Sequence, residues 1–373
     1  MVDYRVMLDA IRKKVENGER ITREEGLYLL REAPLLELAP LAMATRWRLN
    51  PERRVTFVID TNLNYTNTCD AFCAFCAFYR TPGQEGEYTY TIEQMMEQFA
   101  RAREMGVTTV LLQGGLNQAI PFQYYLDLVR ETCRRFPDIH AHFYSAPEVM
   151  KMTEVSGLSL DGVIERLYQA GLRSIPGGGA EILTDRVKQQ ISKLWPKGTT
   201  RDWVDVHRAA HRGGMRSTAT MMYGHVETDD DVIEHLDVVR ALQDETGGFT
   251  AFIPWSYKRD QNPLARRVMS EAGPNRYLRI LAVARIYLDN VQHVQASWFS
   301  EGKKTGVVAL HFGGDDFGGT IFDENVMQEA GFYNRTTIDE IVGLIRDAGF
   351  TPAQRTTLYD IVREFPTVEA AAL

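Results

Sequence analysis

The segment Asn67-Thr68-Cys69-Asp70-Ala71-Phe72-Cys73-Ala74-Phe75-Cys76-Ala77-Phe78-Tyr79-Arg80 decides how the rest of the chain is read, through the cysteine spacing C-x3-C-x2-C. Three thiolates on one tight loop can hold three irons of a 4Fe–4S cluster and leave the fourth iron without a protein ligand. An open iron is what a cluster needs when it must bind a substrate rather than only carry electrons. Two other readings fit less well. A disulfide would leave an odd thiol. A zinc ion would want a fourth ligand nearby, and Cys133, His140 and His142 lie far along the chain. The interleaved phenylalanines suit a shielded cluster better than an exposed zinc knuckle.

Outward from this loop, short runs of β-branched and aromatic residues alternate with helical patterns. The expected strands are Val55–Leu63, Thr108–Gln113, His140–Ser145, Leu172–Ile175, Ser217–Tyr223, Thr250–Trp255, Val294–Trp298 and Val307–Phe312. Helical periods at Ile92–Met105, Phe122–Phe136, Leu160–Ala170, Trp203–Arg212, Asp230–Gln243 and Arg276–Val291 fill the gaps. This order predicts an α/β fold, a (β/α)8 TIM-type barrel over residues 51–320. The link between the last two strands is too short for an ordinary crossover helix. Residues 1–50 read as an N-terminal helical extension. There, Val6, Leu8, Ile11 and Val15 share a stripe, and Thr22 with Glu25 forms a capping box. Residues 321–373 read as a C-terminal helical segment. Thr228 is expected to cap a helix whose first turn holds Asp229, Asp230 and Asp231.

The chain has 373 residues, 44% hydrophobic and 25% charged, enough for one large domain, with net charge −8 and no basic tract. Nucleic acid is therefore not an expected partner. No apolar run reaches the length of a membrane span, and the first residues do not read as a signal peptide. A cytoplasmic protein without membrane insertion is expected. The fourth cysteine, Cys133, falls in helical register with Leu126 and Val129 and reads as packing.

The cysteine loop resembles the signature of the radical S-adenosylmethionine (SAM) enzymes. In that superfamily SAM chelates the open iron and is split into methionine and a 5′-deoxyadenosyl radical. The resemblance implies two cofactors, a 4Fe–4S cluster on Cys69, Cys73 and Cys76, and SAM. It implies SAM contacts at Phe75, at the glycine pair Gly114-Gly115, at Ser145 and at Glu181, whose carboxylate suits the ribose diol. It also implies that Gly115→Val blocks SAM while leaving the cluster intact. Many members have a glutamate where this chain has Leu116.

Longer segments sharpen this. Asp60-Thr61-Asn62-Leu63-Asn64-Tyr65-Thr66-Asn67, Ser174-Ile175-Pro176-Gly177-Gly178-Gly179-Ala180-Glu181-Ile182-Leu183 and Phe252-Ile253-Pro254-Trp255 resemble the cyclic dehypoxanthine futalosine synthases of menaquinone biosynthesis. Aminofutalosine synthase and the deazaflavin (FO) synthase subunits share much of the pattern. Leu183, Trp255, and Gln295 with Ser297 depart from aminofutalosine synthase. The family implies dehypoxanthine futalosine as the small-molecule substrate and reduced flavodoxin or ferredoxin as electron donor. Hydrogen is taken from ribose carbon 4′, and the carbon radical adds to the substrate's own benzoate ring. Arg80, Trp255, Gln295 and Ser297 are the expected substrate contacts. Asp315, Asp316 and His225 are the expected bases. A reading of another class is an iron–sulfur electron carrier without SAM chemistry.

Overall fold

The computed structural model describes residues 4–365, apart from 195, 260, 323–327, 330, 332 and 334. Seven parallel strands form one curled sheet in the order β2 (Asp60–Leu63), β3 (Thr109–Leu112), β4 (His140–Phe143), β5 (Ser174–Ile175), β6 (Arg216–Tyr223), β7 (Phe249–Ser256) and β8 (His293–Val294). The stave expected over Val55–Leu63 breaks at Ile59. Its first half, β1 (Arg54–Val58), leaves the sheet and pairs in parallel with β9 (Asp316–Gly319). β9 also bridges back to Gln295 just beyond β8, with the Ala296 N–H donating to the Asp316 carbonyl at 2.7 Å. β9 thus completes the ring as its eighth stave.

Two expected strands are corrected. Val307–Phe312 is not the eighth strand, because Lys303–Ala309 is helical and Gly306 packs closely on Trp298. Moving that strand to 316–319 removes the short link, since two short helices now fit between β8 and β9. The seventh strand stops at Val294, and Trp298–Glu301 is already helical.

The tail is also corrected. It has a helix, Ile338–Asp347, but then two strands, β10 (Thr351–Arg355) and β11 (Ile361–Glu364). β10 lies parallel to β1, with Phe57 opposite Gln354. The turn after it closes the lower mouth of the barrel. Thr357 Oγ1 is 2.7 Å from Thr109 Oγ1, and Tyr359 stacks on His293 at 3.8 Å. An ion pair inside the fold fastens this tail: Arg355 Nη2 donates to Asp316 Oδ1 at 3.0 Å, and both side chains are buried.

The N-terminal helices Tyr4–Asn17, Arg23–Arg31 and Leu35–Leu49 lie as expected, with Leu8, Ile11 and Val15 buried, but Val6 of the expected stripe is exposed. The Thr22–Glu25 capping box forms, with Glu25 N–H to Thr22 Oγ1 at 3.3 Å and Thr22 N–H to Glu25 Oε2 at 2.7 Å. Arg279, on the helix Pro274–Tyr287, ties this extension to the barrel through the carbonyls of Leu29 and Ala33 at 2.8 and 2.6 Å. Among the described residues no helix is long and apolar enough to cross a membrane.

Candidate active site

The upper ends of the strands surround a cavity of about 390 Å³, and Cys69, Cys73 and Cys76 all line it. Their loop leaves β2 and is laced in place. Cys69 N–H donates to Arg80 O at 2.9 Å, Asp70 N–H to Leu116 O at 3.0 Å and Ala74 N–H to Ile191 O at 2.8 Å. The Leu116 N–H points at Cys69 Sγ, 3.3 Å away. Burial raises all three thiols, Cys73 to about 12. Such thiols ionise when a metal brings positive charge. All four cysteines are free, and Cys133 sits apart, its Sγ 3.8 Å from Gly171 O. Among the described residues no three Cys, His, Asp or Glu side chains converge on one ion. Three free thiols on a single cavity wall fit a multi-iron cluster, whose ligands stand further apart than those of a mononuclear zinc.

Gly114 and Gly115 line the same cavity, but their first task is to let the backbone pass. A Cβ on Gly115 would lie 2.2 Å from Thr68 O and 2.9 Å from Cys69 Cβ. A Cβ on Gly114 would lie 2.5 Å from the Tyr65 ring. The strand end is therefore packed directly on the cysteine loop, which corrects the expectation for Gly115→Val. That variant is expected to lose cluster iron and SAM binding together. Iron content and equilibrium SAM binding check this.

One residue missed in the sequence organises this corner. Glu148 is buried, and its carboxylate gathers four donors. Tyr65 Oη (2.7 Å) and Gly114 N–H (3.0 Å) reach Oε1, while Ser145 N–H (2.7 Å) and Ser145 Oγ (2.5 Å) reach Oε2. It pins the ends of three successive staves. Burial still raises its pKa. Ser145-Ala146-Pro147-Glu148 is a capping box with proline in the first turn, so the signal was present in the sequence.

Glu181 faces the cysteines from across the cavity and holds φ 42°, in the left-handed region. Lys197 Nζ donates to it at 2.8 Å and lies 5.4 Å from the centre of the Phe75 ring. Burial opposes the Glu181 charge, but Lys197 and then Lys188 hold its pKa below the usual carboxylate range. Lys197 also lines the cavity, and no sequence pattern marks it.

Trp255 and Gln295 line the cavity as expected, with Asn62, Asn64, Thr218 and Thr220 beside them. The other expected contacts do not reach it. Ser297 is buried away from the cavity, its N–H donating to Tyr277 Oη at 2.6 Å. Arg80 turns back on its own loop, with Nη1 on the carbonyls of Ala77, Phe78 and Tyr79 at 3.1, 3.2 and 3.1 Å. The expected bases are engaged elsewhere. Asp315 is paired with Arg285 and with His293 Nδ1 at 2.5 Å, and these partners hold it ionised against burial. Asp316 is bonded to Arg355 and to Thr56 Oγ1 at 2.6 Å. His225 donates from Nε2 to Met222 O at 2.9 Å and accepts the Val226 N–H at 2.8 Å on Nδ1. The correction has one cause for the two aspartates. With β9 at 316–319, they stand at the entry of a strand rather than at its functional end.

The comparisons with known proteins agree with this geometry. Residues 63–239 match the Radical SAM superfamily, and residues 246–368 match the CofH/MqnC C-terminal region. The chain is 40% identical to the cyclic dehypoxanthine futalosine synthase of Halalkalibacterium halodurans, over 98% of this chain and 97% of that one. It is 37% identical to the aminodeoxyfutalosine synthase of Streptomyces coelicolor, over 95% and 94%. It is 41% identical to the 5-amino-6-(D-ribitylamino)uracil–L-tyrosine 4-hydroxyphenyl transferase of Methanopyrus kandleri, over 83% and 85%. In fold it is similar to the FeFe-hydrogenase maturase HydG of Carboxydothermus hydrogenoformans, with TM-score 0.74 at 18% identity over 94% of this chain and 80% of that one. Family-wide, such enzymes use a 4Fe–4S cluster and SAM, and this chain belongs to the radical SAM superfamily, in the branch that includes the cyclic dehypoxanthine futalosine synthases.

Proposed function

We propose that the protein is a radical SAM cyclase that converts dehypoxanthine futalosine to its cyclic product. The observation that carries this is the 40% identity to a cyclic dehypoxanthine futalosine synthase along 98% of the chain, joined to a cavity with the three cysteines on its wall. When bound, the cluster and SAM supply a 5′-deoxyadenosyl radical that takes hydrogen from ribose carbon 4′ of the substrate. The chain's own residues do the rest. Cys69, Cys73 and Cys76 hold three irons. Glu148 fixes Gly114 at the strand end against which SAM lies. Glu181, charged by Lys197, receives the ribose diol, and Phe75 packs by the adenine. The enclosing barrel and its tail keep water from a radical that attacks most nearby C–H bonds.

Beyond these groups, one stretch of the wall is neutral and hydrogen-bonding, built from Asn62, Thr218, Thr220 and Gln295, with Trp255 as its bulky member, while the charged groups Asp60 and Arg355 line another part of the cavity. Such a wall holds a flexible sugar folded so that carbon 4′ meets the ring, and it places no unpaired cation beside the spreading radical. Trp255→Leu combined with Gln295→Lys is expected to keep deoxyadenosine formation and lower the yield of cyclic product. Proportional loss of both, or no change in either, removes these residues from the steering role. The reading as a whole is tested by anaerobic incubation with SAM, a reductant and dehypoxanthine futalosine. The cyclic product is expected by mass, and its absence from a cluster-loaded enzyme that cleaves SAM contradicts the reading.

A further inference from the structure

Among the described residues three carboxylates open into the cavity: Asp60, Glu148 and Glu181. Glu148 has four donors and Glu181 has a lysine, whereas among the described residues the Asp60 carboxylate has one hydrogen bond, from the Ile321 N–H to Oδ1 at 2.8 Å. Its nearest cation, Arg355, is committed to Asp316. The backbone around Asp60 is nevertheless firmly held. Asp60 N–H donates to Thr320 Oγ1 at 3.0 Å, Thr320 Oγ1 donates back to Asp60 O at 3.1 Å, and Phe322 N–H donates to the same carbonyl at 3.2 Å.

Two neighbours are shaped around this carboxylate. Gly319 has no side chain where a Cβ would stand 2.0 Å from Asp60 Oδ1. Ile321, a β-branched residue, takes φ 46° to present its N–H. Strain and close approach therefore serve a carboxylate that lines the cavity.

We propose that Asp60 is the base that takes the ring proton in the cyclisation. This rests on the cyclase reading above. When carbon 4′ adds to the benzoate ring, one C–C bond forms and the attacked ring carbon becomes tetrahedral, still carrying its hydrogen. The unpaired electron spreads over the remaining ring. Asp60 takes the proton, and the C–H electron pair returns to the ring. One electron leaves to a one-electron acceptor of the iron–sulfur or flavin class, and aromaticity is restored. A base held in place inside a closed barrel contributes typically ~10²–10⁴-fold to such a transfer.

The protonation state suits the task. Burial raises the Asp60 carboxyl to about 6, while the Ile321 N–H and Arg355 pull it down and Asp316 pushes it up. The other groups facing this corner are Tyr359, over which the Arg355 guanidinium lies at 4.0 Å, and His142, kept neutral by burial, which lowers it to about 3. Asp60 is thus ionised at neutral pH and close enough to neutrality to accept a proton. The sign of the stability effect follows. With its folded value near 6 above an unfolded value near 3.8, ionising Asp60 opposes folding, and the penalty grows as pH rises from about 4 to about 6.

The test is Asp60→Asn, compared with the wild type on unlabelled and ring-deuterated dehypoxanthine futalosine. Deoxyadenosine is expected to form while cyclic product falls on the order of 100-fold or more. A primary ring isotope effect should appear in the variant only. In thermal melts the variant should gain stability over the wild type as pH rises from about 4 to about 6 and keep that gain above it, a readout independent of turnover. In the wild type, cyclic product per deoxyadenosine should fall below about pH 6, which tests the assignment even if the variant does not fold. A wild type that makes no cyclic product overturns the cyclase reading itself. A cyclising wild type with a flat ratio from pH 5 to 8, or an Asp60→Asn that cyclises at the wild-type rate without a ring isotope effect, overturns the assignment of Asp60 alone.

Discussion

Alanine at Cys69, Cys73 or Cys76 is expected to strip the cluster and abolish deoxyadenosine formation, while Cys133→Ala keeps both. The first three thiols share the cavity wall, and burial keeps each protonated until a metal arrives. Cys69, Cys73 and Cys76 would hold three irons of the cluster, and two thiolates would not fix a cube of irons in one orientation, so each of the three is needed. Cys133 lies on the outer helix Phe122–Arg135 beside Gly171, where it only packs. Iron and sulfide content with the visible spectrum of anaerobically purified variants reads the result. A full cluster in Cys73→Ala, or its loss in Cys133→Ala, would refute the ligand set.

Arg355→Met is expected to give the largest loss of stability among the changes outside the cysteines. The guanidinium and Asp316 are both buried, and among the described residues Asp316 keeps Thr56 Oγ1 and the Gly318 N–H once Arg355 is gone. Breaking a buried pair by removing one partner costs about 3–5 kcal/mol, because a charge remains without its counter-ion. That is a large part of the stability of an ordinary domain. Replacing both, as Arg355→Met with Asp316→Asn, should recover most of the loss, since a neutral pair carries no stranded charge. Urea melts of the single and double variants decide it. A single variant within about 1 kcal/mol of wild type would mean that the tail is not fastened through this pair.

The parts of this molecule that were legible in the sequence are those set by local chemistry. The cysteine spacing, the Thr22 capping box and the capping of the helix Asp229–Thr246 by Thr228 each depend on a few adjacent residues, and each stands where it was expected. What was not legible depends on distant pairing. β9 is Asp316-Phe317-Gly318-Gly319, a poor strand by composition, and it exists because β1 flanks it on one side and Gln295 on the other. Val307–Phe312 has the better strand composition, yet it begins as helix where Gly306 admits Trp298. That one exchange also misplaced the bases, because it put Asp315 and Asp316 at the wrong end of a stave. Asp60 was read within a family segment. The place of its carboxylate becomes visible only when Gly319 and Ile321, some 260 residues later, are brought beside it. Lys197 is a single lysine in a loop, and only the fold shows that it serves Glu181.

The central claim, a radical that acts on carbon 4′ of a benzoate-bearing sugar inside this cavity, is most directly tested by the fate of one atom. Dehypoxanthine futalosine carrying deuterium at ribose carbon 4′ is incubated anaerobically with the cluster-loaded protein, SAM and a one-electron reductant. The mass of the 5′-deoxyadenosine is then measured. Transfer of the deuterium into deoxyadenosine, matched by its absence from the cyclic product, is the predicted result. Deoxyadenosine that forms without the label, while the deuterium stays on unreacted substrate, would contradict the account.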